Sequence, residues 1–250
     1  MFNLIKPGYV LRFGTNPGGI VSPQGVSGAV NDNSLETLWP NTSNLGLVQV
    51  LSHPSGPIGK VAAAVAKSTL RAGGSIARSA SYSGPGLAVT QADRLIGSQN
   101  CDFVGYTDGR AHYIVSANTV FSKDFSGCTM VVYTQAGIRR VAHAAASGVP
   151  HMNCRHAFMT TIQGNGALLV GWFKPFVAAI DSARKATAFG LITGYVGGNI
   201  NKLTTFGVVT AGNVAYTLDA FQPVGVGYGA NDWVVTYIAT LPLNGGWVVP

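Results

Sequence analysis

Short runs of alternating apolar and polar residues dominate the chain from Asp102 onward, and this period of two predicts β-strands. The predicted strands cover residues 103–106, 111–115, 129–134, 138–144, 191–196, 204–210, 214–218, 224–228 and 233–241. Glycine and proline number 33 and 12 but follow no fixed period, so they fit tight turns between many strands rather than a collagen-like repeat.

Two segments show helical spacing instead. Residues 57–74 place apolar side chains three and four positions apart and end at Gly73-Gly74. A second helix is predicted to begin at Lys174-Pro175, with proline in its first turn. The pattern as a whole predicts an α+β fold, with a β-sandwich-like core of mostly antiparallel strands flanked by helices.

The two parts of the chain differ in character. Residues 1–90 are rich in glycine, proline, asparagine and serine, with strand-like pieces at 8–13 and 46–51 and the first helix. We expect them to form an irregular N-terminal region packed on the core. Residues 91–250 are expected to form a β-rich catalytic domain.

Composition narrows the class of protein. Apolar residues make up 47% of the chain and charged residues 10%, which excludes a disordered chain. The longest apolar run, 167–173, is far shorter than a transmembrane helix, and the start of the chain reaches Pro7-Gly8 too early for a Sec signal peptide.

Three cysteines cannot all pair within one chain. These features favour a reducing compartment and at least one free thiol, and they leave open a secretion route that does not use a Sec signal.

The net charge of +7 arises from 16 Lys and Arg against 9 Asp and Glu. The basic residues are scattered, whereas nucleic-acid binding usually requires a concentrated basic surface with aromatic side chains beside it. We therefore expect a protein partner, with an acidic surface favoured, and no nucleic acid. Simple solubility explains the charge equally well.

The chemistry of greatest interest lies around Cys128 and His143. The strands 129–134 and 138–144 predict a hairpin around Gln135-Ala136-Gly137. A turn centred between Gln135 and Ala136 would place Cys128 and His143 directly opposite each other. A turn centred on Ala136 would send them to opposite faces, unless a bulge or bend restored the pair.

An adjacent imidazole favours a reactive thiolate, which is the nucleophile in thiol enzymes. Gly127 lets the backbone approach a substrate closely, and amides near the start of the strand could stabilise an oxyanion. The alternative is a small buried cysteine with a coincidental histidine on the next strand.

The sequence Phe125-Ser126-Gly127-Cys128, with His143 fifteen residues later, resembles the Leu-Ser-Gly-Cys plus histidine signature of the cytotoxic necrotizing factor catalytic domains. Burkholderia lethal factor 1 and CheD-like deamidases share that scaffold. The resemblance covers about twenty residues, and Phe125 replaces the leucine of the motif. It implies a toxin-like protein-glutamine deamidase, a cofactor-independent hydrolase with Cys128 as nucleophile and His143 as general base and acid. Ser122 takes the place of a threonine that orients the histidine, and Ser126 and Gly127 match the motif.

Other interpretations stay open. A different Cys–His acyl-transfer enzyme, such as a protease or transglutaminase, and a non-enzymatic β-sandwich binding protein are the two rivals to a deamidase. Cys101 with His112 is a weaker candidate thiol–imidazole pair. His151, Cys154 and His156 offer metal-ligand types within six residues, but a structural zinc site needs four ligands, so no metal is predicted.

Overall fold

The computed structural model of the protein describes residues 1–14, 44–52, 94–106, 111–146, 154–176, 200–223 and 231–247. The predicted helix at 57–74 and the predicted strands at 191–196 and 224–228 lie outside these ranges. The predicted helix beginning at Lys174-Pro175 lies outside them from residue 177 onward. Among the described residues, no helix has the length and apolar character needed to cross a bilayer.

The described elements follow a short 3-10 turn at Phe2–Leu4 and consist of eleven strands and one α-helix. Along the chain they are β1 (Val10–Arg12), β2 (Asn44–Ser52), β3 (Arg94–Phe103), β4 (Ala111–Val115), β5 (Thr119–Ser122), β6 (Thr129–Gln135), β7 (Ile138–Ala144), α1 (Cys154–Gly164), β8 (Leu168–Phe173), β9 (Ile200–Val209), β10 (Ala215–Pro223) and β11 (Asp232–Leu241).

Seven of the strands close into a barrel in the order β1-β11-β10-β9-β5-β3-β2. Closure depends on β1, because Leu11 pairs with Trp233 of β11 on one side and with Val50 of β2 on the other. Every pairing in the barrel is antiparallel except that of β3 with β5. Apolar side chains fill the interior, with Phe13, Phe121, Phe206 and Trp233 at its centre.

The predicted α+β class, a β-sandwich-like core flanked by helices, is therefore wrong. The described part of the chain is mostly β with one helix, and its larger sheet is a closed barrel. An alternating pattern fixes which face of a strand is buried, but it does not show whether the outermost strands of a sheet pair with each other. Within the region 1–90, β1 and β2 are themselves strands of the barrel.

The remaining strands form a second sheet in the order β4-β7-β6-β8. One face packs on the outside of the barrel, where Met130, Val132 and Val141 meet Val120 and Val209. The opposite face carries the second apolar cluster, in which α1 contributes Phe158, Met159 and Ile162. The protein thus has a barrel, a sheet on its outer wall and a helix over that sheet.

Arg139 of β7 ties the second sheet to the barrel at one end. Its Nε donates to Asn213 Oδ1 at 2.9 Å, and its Nη2 donates to the Thr210 carbonyl oxygen at 2.9 Å. Both partners lie in the turn between β9 and β10. Burial lowers the pKa of Arg139, and these hydrogen bonds compensate part of the desolvation of its guanidinium.

The role of β1 in closing the barrel predicts a large effect of Leu11→Ala. Leu11 is fully buried in the barrel interior, so truncation should lower the free energy of unfolding by about 2–5 kcal/mol. Chemical denaturation measures the change. Leu47→Ala is the control, because Leu47 is 46% exposed on β2 and should change stability by less than about 0.5 kcal/mol. A change equally small at Leu11 would show that β1 is not a strand of the barrel.

Candidate active site

The hairpin of β6 and β7 has its two turn residues at Ala136 and Gly137. This turn is centred one residue later than the turn that would place Cys128 opposite His143. Gln135 pairs with Ile138, and Met130 therefore faces His143. Positive φ angles of 51° and 75° at Ala136 and Gly137 fit the tight two-residue turn. The observed register is neither of the two considered from the sequence, the one that opposes Cys128 and His143 and the one that sends them to opposite faces.

Cys128 nevertheless lies on the same face of the sheet as His143. Moving the turn by one residue shifts the strand pairing by two residues, and a shift of two leaves each side chain on its original face. Cys128 and Met130 have the same parity along the strand, and Met130 is the cross-strand neighbour of His143. Diagonal neighbours of this kind have Cα atoms about 7–8 Å apart, within reach of long side chains. The thiol and the imidazole therefore share the interface between the second sheet and the barrel.

Ser122, the last residue of β5, reaches His143 across that interface. Its Oγ lies 2.7 Å from His143 Nδ1 and donates to the Val104 carbonyl oxygen at 2.7 Å. A hydroxyl has one proton, so both hydrogen bonds form only when Nδ1 carries a hydrogen and donates to Ser122. This assigns the Nδ1–H tautomer and leaves Nε2 as an acceptor. The contact that the resemblance implies between Ser122 and the histidine is present.

Two aromatic rings enclose His143. The Phe125 ring stacks on the imidazole with centroids 4.1 Å apart and planes 7° apart, and Tyr106 lies tilted at 4.9 Å. The imidazole is fully buried, and its Nε2 has no hydrogen-bond partner among the described residues. A buried polar atom without a partner costs about 1–3 kcal/mol.

Burial determines the charge of this histidine. Desolvation, with a smaller contribution from His112 and against an opposing effect of Asp124, lowers the pKa of His143 from 6.5 to about 3. The resting imidazole is therefore neutral. This differs from the thiolate–imidazolium pair that an adjacent imidazole suggests, because the apolar surroundings disfavour the charged form.

Cys128 lies at the end of the loop between β5 and β6. It is 1% exposed, and its Sγ accepts a hydrogen bond from the Ala146 backbone N–H at 3.3 Å. The preceding residues are more accessible: Ser126 is exposed and Gly127 is half-buried. A Cβ at Gly127 would lie 3.3 Å from that of Ala146, so the chain at this glycine is already close to its neighbour.

The same loop is fixed to the barrel through Asp124. The Asp124 backbone N–H donates to Thr204 Oγ1 at 3.3 Å, and that hydroxyl donates to Asp124 Oδ1 at 3.0 Å. Asp124 has a positive φ of 67°, a conformation that aspartate tolerates better than most residues. The reversal directs Phe125 back onto His143 and brings the chain to Cys128.

Gly207 of β9 provides space beneath the site. Gly207 is the neighbour of Ser122 on the adjacent barrel strand. A Cβ at position 207 would overlap Met130 Sδ and lie 2.7 Å from Pro175 Cγ and 3.0 Å from Phe125 Cε2. Several side chains around His143 therefore depend on the absence of one at position 207.

The other sequence-predicted groupings do not assemble. Cys101 lies inside the barrel, where burial raises its pKa to about 12, whereas His112 lies on β4 of the second sheet, directly opposite His143. Cys154 and His156 belong to α1 rather than to a loop or strand, and His151 lies outside the described residues. Among the described residues, no group of three His, Cys, Asp or Glu side chains could hold a metal ion.

Sequence reasoning missed several residues around the site. His112 was in a correctly predicted strand, but pairing β4 with β7 was needed to place it beside His143. Phe125 occupied the motif position where leucine was expected, and its aromatic character was the available signal. Tyr106 and Ala146 carried no signal, because their positions follow from loops and from the packing of the two sheets.

The low pKa of His143 predicts a loss of stability in acid. The unfolded chain binds a proton at this histidine below about pH 6.5, whereas the folded protein does so only near pH 3. Stability should therefore fall as pH drops through this window, by about 1.4 kcal/mol per pH unit for this group. Urea denaturation of wild type and His143→Gln at several pH values isolates the effect. His156→Gln, at an exposed position, is the control, and parallel curves for wild type and His143→Gln would contradict the prediction.

The tight packing at Gly207 predicts that Gly207→Ala destabilises the protein. The added methyl would displace Met130, Pro175 or Phe125, and overpacking of this kind costs about 1–3 kcal/mol. Gly212→Ala is a matched control, because a Cβ there would meet only Thr210 Oγ1 at 4.0 Å. Denaturation midpoints of the two variants should differ clearly, and equal midpoints would argue against the packing described around His143.

Comparisons with family models, with curated proteins and with solved structures gave no match to this chain. A function for the protein is therefore inferred from the geometry of Ser122, Cys128 and His143 and from the short motif that contains the cysteine.

Proposed function

We propose that the protein is a thiol hydrolase that deamidates a glutamine side chain of a target protein, with Cys128 as nucleophile. The observation that carries the proposal is the hydrogen bond of 2.7 Å between Ser122 Oγ and His143 Nδ1. It holds the imidazole with Nε2 as an acceptor on the face that also carries Cys128. A nucleophile, a base and a group that orients the base are the minimal set for acyl transfer.

In the first half of the reaction, Cys128 Sγ attacks the carboxamide carbon of the glutamine as its proton passes to His143 Nε2. Burial disfavours an imidazolium in the resting site, so proton transfer and attack are expected to be coupled. The negative charge that develops on the carboxamide oxygen then offsets the positive charge on the imidazole. The amide nitrogen then leaves as ammonia, taking the proton from Nε2. A thioester between Cys128 and the substrate remains.

In the second half, water attacks the thioester carbon and gives a proton to His143 Nε2. Collapse of the intermediate breaks the C–S bond, and the proton returns to the sulfur. The product is a glutamate side chain, and the enzyme regains its thiol. Throughout, the Ser122 hydroxyl keeps Nδ1–H paired, so that Nε2 remains the only ring nitrogen that exchanges protons.

A non-enzymatic binding role is the second candidate, and one observation favours it. Cys128 is 1% exposed and His143 is fully buried, so a substrate reaches the thiol only if neighbouring groups move. The deamidase proposal therefore requires displacement of chain around Gly127 and Ala146, which lie directly beside the sulfur. A binding role requires no such opening.

Deamidation can be detected without knowing the target. A cell lysate is incubated with the protein in ¹⁸O-labelled water, and glutamine-containing peptides are examined by mass spectrometry. Hydrolysis through a thioester should raise the mass of specific peptides by about 3 Da, or about 1 Da in ordinary water. Cleaved or cross-linked products would instead support a protease or a transglutaminase.

Three variants connect the activity to the site. Cys128→Ser should abolish the labelled products, and Ser122→Ala should reduce their rate by about 10²- to 10⁴-fold, because the imidazole loses its orienting partner. Cys101→Ser should retain the rate, since Cys101 lies inside the barrel. Labelled products that persist in Cys128→Ser, or none with the wild type, would favour the binding role.

A further inference from the structure

The backbone N–H of Ala146 meets the candidate nucleophile from the segment that follows β7. It donates to Cys128 Sγ at 3.3 Å. Strand β7 ends at Ala144, which pairs with Thr129 of β6. Two residues further on, Ala146 has left the ladder and directs its donor at a side-chain sulfur. An amide that donates to a thiol also stabilises the thiolate, because hydrogen bonds to an ionised acceptor are stronger.

Gly127 permits this approach because it has no side chain. A Cβ at position 127 would lie 3.3 Å from the Ala146 Cβ, whereas opposite residues of neighbouring strands usually have Cβ atoms roughly 4.5–5.5 Å apart. The Gly127 carbonyl oxygen accepts a hydrogen bond from Arg155 Nη1 at 3.1 Å, so α1 limits the movement of Gly127 away from Ala146. A side chain at position 127 would therefore push Ala146 and its N–H away from the sulfur.

The position of this donor suits both stages of a thiol attack. As His143 Nε2 takes the thiol proton, negative charge grows on Sγ, and it passes to the carboxamide oxygen when the C–S bond forms. That oxygen is two bonds from the sulfur, so a donor that already contacts Sγ reaches it after a small displacement. Gly127 and Ala146 are half-buried, whereas Cys128 beside them is buried. A carboxamide that enters here meets the sulfur and the donor together.

We infer that the Ala146 N–H is the hydrogen-bond donor that stabilises negative charge at the thiol, first on Cys128 Sγ and then on the oxygen of the attacked carboxamide, and that Gly127 holds this donor in place. The role at the carboxamide oxygen rests on the proposed function. The role at the sulfur does not, and it can be measured without substrate. The proton stays on the Ala146 nitrogen throughout, so the proton transfers remain those of His143.

A double-mutant cycle between positions 127 and 146 tests the spacing. ¹³C NMR of the cysteine Cβ atoms follows the ionisation of each thiol in the folded protein, and Cys128→Ser identifies the Cys128 signal. The pH at which this thiol loses its proton should rise by about one unit in Gly127→Ala, because a hydrogen bond to the charged form is weakened. In an Ala146→Gly background the same substitution should have little effect, since the second Cβ is then absent.

Gly164→Ala is the matched control. A Cβ at Gly164, the last residue of α1, would meet nothing within 4 Å, so the ionisation of Cys128 should not change. An unchanged ionisation in Gly127→Ala, or an equal rise in the Ala146→Gly background, would overturn the inference whether or not the protein deamidates glutamine. The expected ionisation without any deamidation by the wild type would overturn the proposed function and support the donor at the sulfur.

Replacing the Ala146 amide by an ester removes the donor and keeps the side chain. Cell-free translation with a tRNA that carries lactic acid makes this change. Loss of one oxyanion donor should lower the rate of ¹⁸O-labelled product formation about 10²- to 10³-fold, whereas the same exchange at Ala136, in the exposed hairpin turn, should retain the rate. A wild-type rate in the Ala146 ester would overturn the role at the carboxamide oxygen.

The ester also decides the role at the sulfur if Gly127→Ala does not fold. Its Cys128 thiol should lose the proton at a higher pH than that of the wild type, and the ester at Ala136 should not show this change. Equal ionisation of Cys128 in the Ala146 ester and the wild type would overturn the inference.

Discussion

The hydrogen bond between Ser122 and His143 joins the two sheets of this protein. Ser122 lies on the outer wall of the barrel, and His143 lies on the inner face of the second sheet. This hydrogen bond forms only if Ser122 points out of the barrel. Side chains alternate along β5, so the burial of Phe121 in the barrel interior places Ser122 on the outer surface. The hydrogen bond also requires the hairpin register to present His143 inward. The candidate chemistry thus depends on how the two sheets pack rather than on the hairpin alone.

Packing at this interface has two consequences that oppose each other. The apolar residues that hold the sheets together exclude water, and burial lowers the pKa of His143 to about 3. The same packing holds the imidazole between Phe125 and Tyr106 and leaves the Nε2 lone pair without a hydrogen-bond partner among the described residues. A preorganised site of this kind loses basicity in the resting state, and charge developing at the substrate would have to restore it.

The sequence was sufficient for elements whose pattern is local. Strands β4 and β7 begin and end at the predicted residues, because alternation and the turn at Gly137 mark them clearly. It was insufficient for β5 and α1, which were not predicted. The four residues of β5 are all buried and show no alternation, and α1 has only eleven residues, too few for a long helical period. Barrel closure was missed for a related reason: β1 has only three residues, and its two neighbours come from opposite ends of the chain.

The candidate site was predictable to the extent that the motif defined it. Ser122, Cys128 and His143 share one interface, although the register differs from the one that motivated the pair. A shift of one residue would have separated the two side chains, whereas the observed shift of two preserves their common face. The parity of a hairpin therefore constrains such a site more strongly than direct opposition does. What parity cannot supply is the setting contributed by other elements. His112 from β4, the Asp124–Thr204 contact and the hydrogen bond from Arg155 of α1 to the Gly127 carbonyl oxygen all bring in distant parts of the chain. Burial of the imidazole sets the direction of its pKa shift, and His112 and Asp124 modify it in opposite senses.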